Sequence, residues 1–575
     1  MTDTKRTLFA GLLIGLLTLS IPFYLNLIGI APSEKEHAAP PVVDGALLVN
    51  PVAAHVPAKN LDAPLIKNYS NHANKELLFE VVTEKYNAVV SNRGGGSLER
   101  FSLHDSQKDG YKYIGGYNDF GEYDSILNVE LSLPSQSSCN PCLGLSTTIN
   151  NTVLVNAPFQ LVSPSFFDNQ TINLYGSDSL LVTMTLLVDD KIISKTTTFY
   201  ADSYVVNHSF DVNPLLSADG TFSVLWKSGI RPTEKNLFEE LTYSEGFAAH
   251  SKNIKSVSLS PSSANDVKER TVFKEKTDWV ALRNKYFINS LISSQSTGSE
   301  LSARAFELSD NTFVPVYEMG LHFLNSPRIN VKQFFGPLDV DVIVSSNTYL
   351  DRVMNFGWLP IQPFSRSVLW ILKKLHLVGL NYGLILILFA FIIRVITGPL
   401  TKKSFKSTQK MQTIQPQLKK IQEKYKNDSA RLNREMMNLY KTHGVNPLGG
   451  CLPMLIQMPL LFALFVVFRS TIEFRGAPFF GWISNLSQPD TIFNLPFNIP
   501  IYGDQVAFLP IVLGISMFMS QRLSMATMDK SQKPMMYIMS AFFFLLFNSF
   551  PSGLNLYYTV YNLLNYQQQK AIRGK

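Results

Sequence analysis

The sequence has 575 residues, 46% of them hydrophobic and 12% aromatic, which is room for several domains. Its formal charge of +7 is unevenly placed, so it speaks to membrane topology rather than to direct nucleic-acid binding. The chain holds no Gly-x-x-x-x-Gly-Lys-Ser/Thr phosphate loop, so nothing in it suggests NTP-driven work.

The first element is "MTDTKRTLFAGLLIGLLTLSIPFYLNLIGIAP", with Lys5 and Arg6 ahead of about 23 mostly apolar residues. It is longer than the core of a signal peptide and lacks an Ala-x-Ala-like cleavage site, so residues 1–30 are expected to be an uncleaved transmembrane anchor. Residues 31–70 are Pro/Ala-rich and aperiodic, as expected of a flexible linker. From about 75 to 345 the pattern turns to strands. Val182, Met184, Leu186 and Val188 alternate with Thr183, Thr185 and Leu187, and Val206, His208, Phe210 and Val212 alternate with Asn207, Ser209 and Asp211. A period of two means sheets with one buried face, here a large, mostly antiparallel β-sandwich over residues 71–350. Turns such as "NRGGGS" punctuate it.

An interfacial amphipathic segment is expected at 351–381, and spans near 382–400, 448–468, 506–522, 534–550 and 553–566. Basic residues set the orientation. Residues 401–446 carry eleven, from Lys402 to Lys441, against Glu423, Asp428 and Glu435. That loop belongs in the cytoplasm, whereas 470–505, with Arg475 against Glu473, Asp490 and Asp504, belongs outside. With the anchor included, six spans alternate, and the β region lies outside the cytoplasm. The 401–446 loop reads as a charged helical hairpin broken at "NDS", with Lys419, Lys420, Arg434 and Glu435 on it. Such a hairpin is a solvated loop, or a platform that receives a client or docks a ribosome.

Within "LILILFAFIIRVITGPL" Arg394 stands among sixteen uncharged residues. A charge at a helix centre in a bilayer costs about 2.5–3.5 kcal/mol on insertion scales. Two readings fit it. The side chain snorkels towards the interface beyond Leu400, about 9 Å along the helix. Or it faces a wet cavity beside the small residues Ala390, Thr397 and Gly398. The last span adds a polar stripe, Asn555, Tyr558, Asn562 and Asn565, with Tyr557 and Thr559 nearby. Three asparagines do not belong against lipid; they are interhelical glue or line water. Gln457, Ser516 and Ser520 on other spans, with no intramembrane carboxylate, favour a wet groove. The last span is also short, about 21 Å for fourteen residues, which implies local thinning of the bilayer or interfacial use of Gln567–Gln569. Methionines crowd the third to fifth spans, either as core filling or as a surface for varied apolar sequences.

Cys139-Asn-Pro-Cys142 lies in an extracytoplasmic loop, where the leading expectation is a local disulfide and the alternatives are free thiols or redox chemistry. No further ligands are spaced for a metal, and no cofactor is expected. Ser552-Gly553 faintly suggests an intramembrane serine protease, but no span contains a histidine to act as its base.

Together these residues carry a resemblance. The stretch from "GPLTKKSFKSTQKMQTIQPQLKKIQEKYKNDSARLNREMMNLYKTHGVNPLGGCLPMLIQMPLLFALF", with "FRGAPFFGWISNLS" and "FPSGLNLYYTVYNLL", closely resembles the YidC-type membrane protein insertases. "WVALRNKYF" and "FFGPLD" resemble that family's periplasmic domain, while residues 31–270 match only loosely. The resemblance implies an α-helical polytopic protein of the Gram-negative inner membrane. Six spans are implied, five of them forming an insertase core at 382–575, with a β-supersandwich periplasmic domain. It implies nascent membrane proteins as clients, alone or beside the Sec translocon, in a lipid bilayer. The family's groove arginine corresponds to Arg394, and other groove positions fall on Gln457 and Tyr557–Tyr558. Two features depart from the family. Only nine residues follow Tyr566, which weakens docking to the ribosome through the tail, and Leu338 stands where a lysine is common. The expected function is insertion of membrane proteins without covalent chemistry. A small-solute transporter is the alternative, disfavoured because no internal repeat is found, and a scaffold acting through its outer domain is a third reading.

Overall fold

The computed structural model describes residues 75–104, 110–133, 139–148, 151–165, 168–188, 191–213, 221–259, 268–309, 312–346, 348–444, 452–499, 502–525 and 533–573. The anchor expected at 1–30 and the linker at 31–70 lie outside the described residues. Among those residues the chain divides into a β unit, 75–104 with 115–336, and a helical unit, 110–114 with 337–573.

The β unit is built on sheets of nine, six and four strands. Alternation produces them where it was expected. In the strand Ser179–Val188 the side chains of Val182, Met184, Leu186 and Val188 are buried. The strand pairs antiparallel with Lys191–Tyr200, in register from Ser179 opposite Tyr200 to Val188 opposite Lys191. Lys191–Tyr200 pairs in turn with Val205–Asp211, and that strand with Arg328–Pro337, so Val206, His208 and Phe210 enter the same interior. The pairing is not uniformly antiparallel, because Leu78–Val82 lies parallel to Gln170–Asn173. A single helix, α1 (Leu237–Leu241), is capped by Asn236, whose side chain accepts from Glu239 N at 3.0 Å.

One buried cation organises the glycine-rich turn of this unit. Lys195 is fully buried and its Nζ donates to the carbonyls of Gly94, Gly96 and Pro141, the last two at 3.0 and 2.8 Å. Gly95 sits at φ +73°, where a Cβ would fall 2.9 Å from Lys195 Cβ, so both conformation and space demand glycine. Pro141 belongs to the loop closed by the Cys139–Cys142 disulfide, and Cys142 opens the strand Cys142–Thr148 instead of ending in a loop.

The helical unit begins with α2 (Val340–Ser345) and the amphipathic α3 (Gln362–His376). α3 buries Val368, Leu369 and Leu372 and leaves Phe364 and Trp370 exposed. From α3, Lys373 reaches Asp339 at 2.9 Å, Asp341 at 2.7 Å and Glu473 at 3.1 Å. Burial alone would lower its pKa, but Glu473 and Asp339 together hold it well above the ordinary lysine value.

Seven further helices follow, α4 (Tyr382–Thr413), α5 (Gln415–Lys424), α6 (Ser429–Thr442), α7 (Leu452–Ser470), α8 (Phe508–Met525), α9 (Lys533–Phe547) and α10 (Ser552–Arg573). α4 has 32 residues and runs straight through Pro399 into the basic segment, well past the span expected at 382–400. Among the described residues its stretch Tyr382–Met411 is the one long and apolar enough by itself to cross a membrane, while Gln457–Ser470 and Phe508–Arg522 are shorter apolar stretches. α10 packs against both α4 and α8, α9 against α8, and α3 against α7. The basic hairpin breaks where expected: Asp428 caps α6 by accepting from Arg431 N at 3.0 Å. Its two helices are α5 and α6, and residues 402–413 belong to α4.

Lys195 yields a pH prediction. Desolvation pulls its pKa from 10.5 down to about 7. Between those values the unfolded chain holds the proton and the folded chain does not, so unfolding takes up a proton and stability rises with pH. Below the folded value both states are charged and the contribution is flat. Thermal melts of wild type and Lys195→Met, followed by the buried Trp226, should therefore show a stability difference that climbs in favour of wild type from about pH 7 to pH 9, by up to about 1.4 kcal/mol per pH unit. A flat difference would mean that Lys195 stays charged in the fold.

Candidate functional site

The arginine in the apolar stretch of α4 is buried within protein. Arg394 is 7% exposed, and its Nη2 donates to Gln568 Oε1 of α10. Nη1 lies 3.4 Å from Thr401 Oγ1, two turns further along α4 towards the basic end of the helix. The guanidinium also sits 5.6 Å from the centre of the Tyr561 ring, a cation–π distance. The side chain thus extends along its own helix and ends against a second one.

Helical spacing assembles the partners. Arg394, Thr397 and Thr401 stand three and seven residues apart on α4, hence on one face, and Tyr557, Tyr561 and Gln568 share a face of α10 by the same geometry. Thr397 Oγ1 lies 3.4 Å from Tyr561 Oη, and the Tyr561 ring stacks on Tyr557 at 6.0 Å. Tyr557 in turn meets Phe389 of α4 at 5.7 Å. Gly398 makes room for the glutamine: a Cβ there would stand 3.1 Å from Gln568 Nε2. The set is not fully satisfied. Arg394 Nε and the hydroxyls of Tyr557 and Tyr558 are buried without a hydrogen-bond partner among the described residues. Each such group costs about 1–3 kcal/mol when left unpaired.

Other expected site residues separate from this set. Asn555 is fully buried and turns the opposite way, donating from Nδ2 to Phe547 O at 3.1 Å and Phe550 O at 3.3 Å at the end of α9. Ser516 is buried and donates to Leu513 O of its own helix at 2.7 Å. Ser520 accepts from Asn565 Nδ2 at 3.0 Å, joining α8 to α10. Tyr558 packs on Phe547 at 5.9 Å. Gln457 and Asn562 are partly buried, and neither is hydrogen-bonded to the Arg394 set among the described residues. On the basic hairpin Lys419, Lys420 and Arg434 are exposed and Glu435 is partly buried. Cys139 and Cys142 lie in the β unit, bridged and buried.

Sequence reasoning missed Gln568, Tyr561 and Thr401. The last span was expected to end at 566 with Gln567–Gln569 beyond it, but α10 continues through them to Arg573, about 33 Å in all. The apolar stretch still ends at Tyr566, and the added turns are polar and basic. The missed signal was the seven-residue step from Tyr561 to Gln568.

Among known protein families, the 60Kd inner membrane protein family matches residues 373–575 and the YidC periplasmic domain matches residues 149–371. The membrane protein insertase YidC of Prosthecochloris aestuarii is 33% identical over 579 residues, 96% of this chain and 93% of that protein. The one from Chlorobaculum parvum is 38% identical over 413 residues, 69% of each chain. A crystal structure of an active YidC insertase with its first transmembrane domain resolved covers 86% of this chain and 92% of its own, at 18% identity and a TM-score of 0.33.

The placement of Asn555 separates structure from client handling. Asn555→Ala should destabilise the protein by about 1–3 kcal/mol, because two helix-end carbonyls lose their donor. Gln568→Ala, at a partly exposed position, should cost less. Melting of the detergent-solubilised variants orders the two, and equal stability of wild type and Asn555→Ala would contradict this assignment.

Proposed function

The chain belongs to the YidC family of membrane protein insertases, and from that premise we propose that its clients cross the bilayer along a polar track centred on Arg394. Its function is the insertion of membrane proteins. The observation that carries the track is a cationic side chain buried between α4 and α10 with one nitrogen still unpartnered, next to a tyrosine pair in which the Tyr557 hydroxyl is also unpartnered.

A client's acidic or polar flank would meet Arg394, Tyr561, Thr397 and Gln568, which replace part of the water it gives up. Charge-assisted hydrogen bonds of this kind contribute about 1.5–3 kcal/mol each, and every 1.4 kcal/mol off a barrier is about tenfold in rate. The client's apolar segment would slide past α7 and α10 into lipid, and burial of its own hydrophobic surface drives release without NTP. No bond is made or broken in this scheme, and it needs no cofactor.

In this reading the protein has six spans, with both ends and the α5–α6 hairpin in the cytoplasm and the β unit in the periplasm. The charge distribution supports that topology. Lys419, Lys420 and Arg434 stand exposed on the hairpin, where an emerging client or a ribosome could be received. In this reading it works alone or beside the Sec translocon.

Insertion into proteoliposomes free of Sec components tests the proposal. The client is a single-span protein with an acidic translocated tail, scored by protease protection. Wild type should protect well above empty liposomes, and Arg394→Ala should slow insertion about tenfold, the equivalent of one lost charged contact. A client with a neutral tail should be less affected. Equal rates in wild type and Arg394→Ala would leave the arginine as a packing residue and move the track elsewhere.

A further inference from the structure

Between Arg475 and Arg522 the chain has no basic residue, and its only acidic ones are Asp490 and Asp504. This stretch leads into a two-stranded ribbon, Thr491–Ile499 paired with Gly503–Ala507. The ribbon departs from ordinary soluble hairpins. Ile492, Phe493 and Phe497 are 48%, 53% and 60% exposed, and almost every residue of the first strand is open. A lone two-stranded hairpin is marginal in water, and isoleucine and phenylalanine gain nothing from standing in it. Phe480 and Trp482, just before the ribbon, are exposed as well.

The ribbon is fastened by polar clamps at its entry and along its second strand. Asp490 accepts from Leu509 N of α8 at 2.8 Å and from Trp482 Nε1 at 3.1 Å. Asn548, fully buried after α9, accepts from Ala507 N at 3.1 Å and donates to Tyr502 O at 2.8 Å and Gln505 O at 2.6 Å. The ribbon is thereby held at the start of α8, while Ser520, which meets Asn565, lies twelve residues on, about 18 Å along that helix. The clamps hold the entry and the second strand and leave the aromatic first strand uncovered.

We propose that this ribbon is a membrane-interface anchor, whose Ile492, Phe493 and Phe497 enter the headgroup–acyl boundary of the outer leaflet. Three features select lipid as the occupant. The ribbon is continuous with the apolar helix α8, whose start lies at the bilayer boundary. Its exposed side chains are those of an interfacial belt, Phe493 and Phe497 on the ribbon with Phe480 and Trp482 just before it. It also lacks the paired charges that a protein partner would read, since Asp504 is its one charged residue. The anchor would hold the outer ends of α8 and α9 in register while clients pass between α4 and α10. The proposal rests on the reading that α8 spans the bilayer from the outer face.

Nitroxide labelling in liposomes tests it. On a Cys451→Ser background, in which Cys139 and Cys142 remain bridged, single cysteines replace Phe493, Phe497, Phe518 of α8 and the exposed Lys252 of the β unit. Power saturation then compares accessibility to oxygen, which partitions into lipid, with that to a water-soluble nickel chelate. Phe518 should read as lipid and Lys252 as water. Labels at Phe493 and Phe497 should favour oxygen over the chelate, at a depth shallower than Phe518. If they read like Lys252, the anchor is wrong while the spanning reading stands. If Phe518 also reads as water, the spanning reading has failed. Exclusion of both reagents from Phe493 and Phe497 would mean that protein covers the ribbon, and would overturn the lipid assignment.

Discussion

Taking a guanidinium out of water costs several kcal/mol even after relaxation, and the helical unit is arranged around that cost at Arg394. α4 supplies the charge and Thr401, and α10 supplies Gln568 and the Tyr561 ring. Gly398 supplies the space that lets the glutamine approach. The shelter is incomplete, with Arg394 Nε and the nearby Tyr557 hydroxyl unpartnered among the described residues.

The β unit meets the same constraint in another way. Lys195 is surrounded by backbone carbonyls of the glycine turn and the disulfide loop, with no carboxylate among its hydrogen-bond partners. Burial there lowers the lysine pKa, whereas at Lys373 the carboxylates Glu473 and Asp339 outweigh burial and raise it. The first arrangement joins a strand of the nine-stranded sheet to the glycine turn of the four-stranded sheet and to the loop that enters the six-stranded one. The second joins α3 to the segment after α7 and to the residues before α2.

Elements whose pattern is local were legible. Strand alternation at 182–188 and 206–212 reappeared as buried and open faces, because the pleat alternates side chains whatever the neighbouring strand. The break at Asp428 was readable because a capping aspartate acts on the next turn of its own helix. Helix ends were less legible. α4 and α10 run past the apolar runs by thirteen and seven residues, because hydropathy reports what lipid tolerates, not where backbone hydrogen bonding stops. Among the site residues, Asn555 was rightly read as too polar for lipid, but its partners are the carbonyls of Phe547 and Phe550.

The sequence alone determined the class of each segment, the sign of each loop's charge, the family resemblance and the presence of one costly arginine. These follow from properties of adjacent or near-adjacent residues. Only the tertiary structure decided which groups answer that arginine, since Gln568 is 174 residues away. It likewise decided that Lys195 reaches Gly96, 99 residues before it, and that Asn548 clamps Gln505 across 43. A polar side chain states in the sequence that it needs a partner. Which partner it finds depends on how the apolar faces of distant segments pack, and that is settled by the burial of the whole chain.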